Sequence, residues 1–396
     1  MANREFIVLR SKRLVVPEAG IRGAVMGPAG VRGGAEMMEL EQGPLTKAER
    51  ADLRRDPRIQ SIAETMPLKL IEPTATNDVA QPAAADATWG VKAVGATDSP
   101  FTGNGITVAV LDTGIDPQHV AFQGVELVRK NFTAEGDDDG HGHGTHCAGT
   151  IFGRDVGNLR IGVARGVQRA VIGKVLGAGG GSSASLAMAI QWAVNEGANI
   201  ISMSLGIDFP GFVKELVNEH DLPIEAATSI ALEQYRANVN LFTALAESVQ
   251  AQGLFGQGAM IVAASGNESD RPAFEIAVAP PAAGTGVIAV GALQEGAGGL
   301  SVARFSNNQV DVSAPGVNVI SARRGGGLTS MNGTSMATPH AAGVATLWAQ
   351  KFRDATGRVE IEPLITQLVG RGNTGVLAPG FEEDGVGTGI VQAPLS

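Results

Sequence analysis

Ser335 stands in Gly333–Gly343, GTSMATPHAAG, where a small Gly-Thr pair precedes it and an Ala-rich run follows. Residues Met336 to Trp348 predict a helix, with Pro339 early enough to be tolerated in the first turn. A serine at a helix N-terminus lies among unpaired N–H groups and the positive end of the dipole, which favour a developing negative charge. Its hydroxyl is a weak nucleophile alone, so the chemistry needs a base and an acid to orient that base. Two other stretches offer them. Val108–Asp116, VAVLDTGID, is an apolar strand running into Asp112 and a Gly turn. Asp139–Thr150, DGHGHGTHCAGT, is a Gly/His loop entering a helix and supplies His141, His143 and His146. Ile261–Glu268, IVAASGNE, is a strand ending at Asn267, whose side-chain amide is a donor suited to an oxyanion.

Asp, His and Ser in that chain order is the subtilisin order. With these four motifs in sequence and at near-family spacings, the chain from about Trp89 onward resembles the subtilisin-like (S8) serine proteases. The resemblance implies a catalytic triad of Asp112, His143 and Ser335. In the family pattern HGTHxAG the first histidine is the base, here His143, which leaves His146 a structural place in the helix. Asn267 and the Ser335 backbone N–H would form the oxyanion hole. Ser204, Leu205 and Gly206 resemble the SLG segment that lines the S1 pocket. Gly179, Gly180 and Gly181, within GAGGGS, resemble the opposite edge strand, so an extended peptide would be clamped between two strands. Cys147 after His146 matches a proteinase-K-like variant of the motif.

Several of these residues have other readings. Three histidines within six residues could hold zinc, but no HExxH pattern accompanies them. GAGGGS mimics a dinucleotide loop, yet Ser182 takes the last glycine position and no acidic residue follows at a later strand end. Cys147 is either a thiol near the base or a small buried helix residue. Calcium is common in the family, but in the loop Asp155–Asn158 only Asp155 offers a carboxylate. The chemistry itself requires no metal or other cofactor, and a structural calcium stays open.

The elements that must position these groups follow from the pattern. Strand-like runs at Ile106–Leu111, Ala170–Leu176, Ile200–Ser204, Met260–Ala264 and Val287–Ala292 alternate with helical patterns at His143–Phe152 and Ser183–Glu196. That alternation predicts an α/β fold with a mostly parallel sheet covered on both faces and active residues at the strands' carboxyl ends, and the resemblance implies that it is the subtilisin-like three-layer sandwich. Gly387–Ala393, GTGIVQA, resembles the family's C-terminal glycine turn.

Residues 1–72 differ in character. Glu5–Arg10 reads as a strand, Gly20 to Gly43 as a Gly-rich stretch of poor periodicity, Thr46–Arg54 as a helix opened by a Thr cap, and Ile59–Ile71 as a strand pair around Pro67. This small α+β unit resembles the inhibitor-type propeptide of subtilisins, which implies an intramolecular inhibitor and folding aid whose tail enters the cleft. An unrelated accessory domain is the alternative. Residues 73–88, rich in Ala, Pro, Thr and Asp, read as a linker holding a processing site, and 89–396 as the catalytic domain. An acidic helical insertion at about 207–258 emerges beside the expected cleft, either as a wall or partner surface or as a lengthened surface helix.

Composition narrows the partners. Hydrophobic content of 44% allows a sizeable core, and a formal net charge of −10 argues against nucleic acid. One cysteine permits no internal disulfide, and no apolar run reaches the roughly 18 residues of a membrane span. Charges crowd the first apolar run too closely for a secretory signal, so the expected location is cytoplasmic. The expected activity is a serine endopeptidase acting on polypeptides through an acyl-enzyme. A dedicated maturation protease, a peptide ligase or a non-catalytic peptide binder are other uses of the same fold.

Overall fold

The computed structural model describes residues 4–13, 36–73, 75–78, 86–252 and 258–396. Its centre is an eight-stranded sheet. Thr107–Asp112 lies in the middle, with Ile200–Met203 on one side and Arg169–Lys174 on the other, all parallel. Met260–Ala264 and Val287–Gly296 extend the sheet one way, also in parallel, and Glu126–Asn131 closes the other edge. The far end of Val287–Gly296 turns antiparallel to Gly299–Val302 and pairs in parallel with Val312–Pro315. Val, Ile, Leu and Ala fill the central strands on both faces, as a doubly covered parallel sheet requires.

Two hydrophobic layers cover the sheet. One holds the helices His143–Phe152 and Thr334–Thr356, the other Ser183–Asn195 and Ile224–Ala251. Among the described residues no helix is long and apolar enough to cross a membrane.

The N-terminal unit is a three-stranded antiparallel sheet, Glu36–Pro44, Glu5–Arg13 and Ile59–Glu64, with the short helix Lys47–Leu53. Thr46 caps that helix reciprocally with Glu49. Residues 36–43 are therefore strand, although they fall in the stretch read as aperiodic. Backbone pairing with Glu5–Arg13 sets them, with only one face to bury. Ile7, Leu9 and Ala63 from this sheet join the apolar layer formed by Ser183–Asn195 and Ile224–Ala251.

The insertion accordingly forms two helices, Phe209–Asn218 and Ile224–Ala251, and the longer one packs on strand Ile59–Glu64. Buried Asn238 fastens the contact by donating to the Glu64 carbonyl at 2.9 Å. The insertion is thus a seat for the N-terminal sheet.

From Glu64 the chain runs into the cleft. Pro67–Leu70 becomes the middle strand of a three-stranded sheet, antiparallel to Leu205–Ile207 and to Gly181–Ser182. Beyond it, Ala75–Asp78 pairs antiparallel with Leu328–Asn332. The range read as a linker therefore contains a strand, because an exposed backbone edge can order an extended segment without any apolar pattern. Residues 79–85 of that range lie outside the described residues.

Candidate active site

Asp112 ends its strand and is buried. Its Oδ1 accepts from His143 Nδ1 at 2.8 Å and from the Thr113 N–H at 2.7 Å. Because a carboxylate only accepts, His143 carries its proton on Nδ1 and turns the Nε2 lone pair toward the cleft. His143 is the first residue of its helix, after Gly142 at φ 100°, a left-handed turn that glycine adopts freely.

Asp139, which the motif reading passed over, locks this turn. Its Oδ1 accepts from the N–H groups of His141 and Gly142 and from the Thr113 hydroxyl. Its Oδ2 accepts from Thr145 N–H and Oγ1. Burial alone would raise its carboxyl, but these hydrogen bonds hold it below the usual carboxylate range. Asp139 thereby ties the end of the Asp112 strand to the start of the His143 helix. The sequence signal of this brace is an Asp four residues before the first helical residue, followed by Thr145 in the first turn.

Burial pulls His143 toward its neutral form, yet Asp112 and the Cys147 sulfur beside it together outweigh burial and lift the imidazole well above the ordinary histidine range. The Cys147 sulfur lies 3.8 Å from His143 Nδ1 and 3.4 Å from the Ser335 carbonyl. Burial raises that thiol above its ordinary range, against the opposing pull of the His143 ring beside it. His146 is buried, bonded through Nε2 to the Val319 carbonyl and depressed to about 3, which keeps it neutral. His141 is instead 44% exposed and points at Glu72 Oε2, 3.6 Å away. The three histidines therefore face three different partners and do not converge as a zinc site would require.

Ser335 is the second residue of the helix Thr334–Thr356 and is buried. Its Oγ donates to the Ile71 carbonyl at 3.1 Å and lies 3.4 Å from the Ser204 carbonyl. Among the described residues, His143 Nε2 has no hydrogen-bond partner. Asn267 is oriented from behind, where its Oδ1 accepts from Thr334 N–H and Oγ1, both at 2.9 Å. That fixes its NH2 toward the cleft, where it donates to the Glu72 carbonyl at 2.9 Å.

Of the six substrate-site residues read from sequence, most flank the strand Pro67–Leu70. Leu205 faces Leu70, Gly206 faces Lys69 and Gly181 faces Leu68. A side chain at Gly180, itself at φ 81°, would strike the Leu68 carbonyl at 2.5 Å, so the close approach needs glycine. A side chain begun at Gly179 would meet nothing within 4 Å, and Ser204 turns its hydroxyl inward to the Ser335 carbonyl at 3.2 Å. In the loop considered for calcium, the Asp155 carboxylate is taken by Arg165 at 2.9 and 3.2 Å, an arrangement that does not fit a cation there.

A parallel α/β sheet, a buried Asp–His pair and a serine at a helix N-terminus define a serine hydrolase with a cleft for extended backbone. The family model for subtilases matches residues 103–377, and the chain belongs to that family. M-protease of Shouchella clausii is 35% identical over 300 residues, 74% of this chain and 67% of its own. Subtilisin Savinase of Lederbergia lenta is 36% identical over 269 residues, 66% and 84% of the two chains. A thermostable alkaline protease of Halalkalibacterium halodurans is 31% identical over 317 residues, 79% and 73%. The protein is a serine-type endopeptidase of the subtilisin family.

Proposed function

We propose that Asp112, His143 and Ser335 carry out the peptide hydrolysis as a triad, with Asn267 and the Ser335 N–H as the oxyanion hole. His143 Nε2 takes the Ser335 proton as Oγ bonds to the substrate carbonyl carbon, and the oxygen that becomes negative is met by the two N–H donors. The imidazolium then protonates the amine nitrogen as the C–N bond breaks, leaving an ester on Ser335. Water, deprotonated by the same nitrogen, attacks the ester, and Ser335 recovers its proton as the acid product leaves. Asp112 keeps the tautomer and stabilises the transient cation. One observation carries this reading. The buried 2.8 Å His143–Asp112 contact lies in the site where Ser335 Oγ reaches the carbonyl of an extended backbone.

Residues 1–71 serve in this reading as an intramolecular inhibitor, and the bond between Ile71 and Glu72 is the one presented for processing. The support is twofold. The strand ladder aligns Leu68–Leu70 with Leu205–Ile207 and Pro67–Leu68 with Gly181–Ser182, and the Ile71 side chain rests 3.7 Å from the point where a Gly206 side chain would begin. Asn267 bonds one residue further on, to Glu72, so the two donors engage successive carbonyls rather than converge on one. The strand ladder is the firmer guide to register, since it rests on several residues. In this arrangement the Ser335 proton is directed at the tail and away from the base, so the tail blocks the cleft. Charge favours the docking: residues 1–72 carry 12 Lys+Arg against 10 Asp+Glu, and the remainder 18 against 30.

The test is intact-mass analysis and fluorophosphonate labelling of wild type, Ser335→Ala and His143→Ala. Wild type should take the label at Ser335, hydrolyse peptides and lose its first 71 residues. Both variants should stay full length, with hydrolysis down by several orders of magnitude. Retention of more than about a tenth of the wild-type rate by either variant would remove the triad assignment. An uncut wild type that is fully active would remove the inhibitor role and leave the triad intact.

A further inference from the structure

Lys69 lies two residues before Ile71, whose carbonyl meets the nucleophile, and its ammonium sits between two carboxylates of the catalytic part. Its Nζ is 3.3 Å from Asp208 Oδ1 and 3.2 Å from Glu268 Oε1. Neither acid is a floppy surface group. Asp208 caps the first insertion helix by accepting from the Gly211 N–H at 3.1 Å, and its own N–H reaches the Pro67 carbonyl at 3.3 Å. Glu268 follows Asn267 directly, and its Oε2 accepts from Asn307 Nδ2 at 2.8 Å while Asn307 Oδ1 holds the Glu268 and Ser269 N–H groups. Both are therefore aimed before any ligand arrives. Burial pulls the Lys69 ammonium down, and the two acids overcome it and hold it above the ordinary lysine range.

We propose that Asp208 and Glu268 form a specificity clamp that selects substrates carrying lysine or arginine at the third residue before the scissile bond. The chain's own tail is its first occupant, and the preferred substrate is a basic, extended peptide with apolar residues on either side. The flanking pattern comes from the same segment: Leu68 is buried between the two edge strands, and Ile71 is buried against Gly206. Along an extended strand alternate side chains share a face, so Lys69 and Ile71 point the same way, toward the wall that carries Glu268. The insertion thus supplies a substrate contact of its own, through its first residue after the edge strand. The proposal rests on the cleft acting on peptides as described above.

Half-exposed ion pairs each contribute at most a few-fold, so two attractions against two repulsions should separate lysine from glutamate substrates about ten-fold. Three internally quenched peptides, Pro-Leu-Xaa-Leu-Ile-Glu with Lys, Gln or Glu at Xaa, read this as kcat/KM ratios on wild-type protein whose tail has been cut. The order expected is Lys, Gln, Glu, with the spread shrinking in high salt and collapsing to about two-fold in D208N/E268Q. Where intact mass finds the tail uncut, the same contrast is read as the fluorophosphonate labelling rate of Ser335 in K69E, K69R and wild type. K69E should label several-fold faster, because its tail is repelled, and K69R should match wild type. Hydrolysis of the Gln peptide with no Lys–Glu difference, or equal labelling of K69E and wild type, overturns the clamp alone. No hydrolysis and no labelling in any form removes the peptidase role of this cleft, and the clamp with it.

Discussion

Thr107–Asp112 and Pro67–Leu70 are both middle strands, yet they are held by opposite means. The first is flanked by parallel neighbours and buried on both faces by apolar side chains from two helical layers. The second lies between two short antiparallel edges, and its intermediate burial leaves Lys69 more than a third exposed. A strand of the first kind is specified by its own sequence, since a polar residue within Val108–Leu111 would be buried among apolar neighbours. A strand of the second kind is specified by its neighbours' free N–H and C=O groups, which accept almost any extended backbone. A site that cuts other chains needs both. The catalytic groups must not move, and the strand presented to them must be replaceable.

Asn267 touches both regions, with its oxygen on Thr334 and its nitrogen on the tail, so its removal tests the comparison most severely. Asn267→Ala should lower kcat on added peptides roughly 10²–10³-fold, a figure measured on the matching donor of subtilisin and carried here by likeness. KM should change far less, because the strand ladder that binds the backbone does not involve this side chain. A loss seen mainly in KM would mean that Asn267 holds substrate and does not meet the oxyanion.

Much of the fixed region was legible in the sequence, and the reasons are physical. Asp112, His143 and Asn267 each follow or precede a short apolar or Gly-rich run whose local geometry is dictated by a few residues. The helix at His143–Phe152 fell where its motif put it. The strands Val312–Pro315, Val319–Ala322 and Leu328–Asn332 gave no comparable signal. They are short and interrupted by Ser313, Ser321, Ser330 and Asn332, and backbone pairing orders them: Val319–Ala322 with Leu328–Asn332, and Val312–Pro315 with Val287–Gly296. The second region was legible only in outline. Pro67 marked a break between strands, but nothing in residues 75–78 betrays pairing with Leu328–Asn332, because backbone edges leave no residue-type signature. Asn238 hid in the same way: one buried amide in a long helix reads as a polar slip until Glu64 is found against it.

The fixed region also sets the pH dependence. From unperturbed chemistry the base would titrate near about 6.5. Against the opposing pull of burial, Asp112 and the adjacent Cys147 sulfur raise His143 above that, so the neutral base becomes plentiful only at higher pH. In tail-free enzyme kcat/KM should therefore rise about ten-fold per pH unit below an inflection that lies above the ordinary histidine value. The same shift has a stability consequence of definite sign. The His143–Asp112 attraction is fully present below the unfolded histidine value and is lost as pH rises through the folded one. His146 and His340, depressed to about 3 and about 4, run the other way and cost stability as pH falls below about 6.5. Asp112→Asn should move the kinetic inflection down. A wild-type inflection at or below the ordinary value would show that Asp112 orients the ring without charging it.

The smallest effect separates docking from chemistry. Asn238 is buried in the insertion helix and bonds the Glu64 carbonyl at 2.9 Å, three residues before the tail strand begins at Pro67. Asn238→Ala removes that donor from the Glu64 carbonyl, at a cost of about 1–2 kcal/mol. It touches neither Asp112, His143, Ser335 nor Asn267, so it should act only where the N-terminal sheet meets its seat. The place to measure it is the full-length Ser335→Ala protein, which keeps its tail. There the variant should melt earlier and exchange its amide protons faster in Glu5–Arg13 and Ile59–Glu64, with Thr107–Asp112 unchanged. Equal loss of protection in the central sheet would mean that the two regions unfold as one unit. In that case the N-terminal sheet would be part of the catalytic fold's own stability, and its removal would destabilise the enzyme rather than free it.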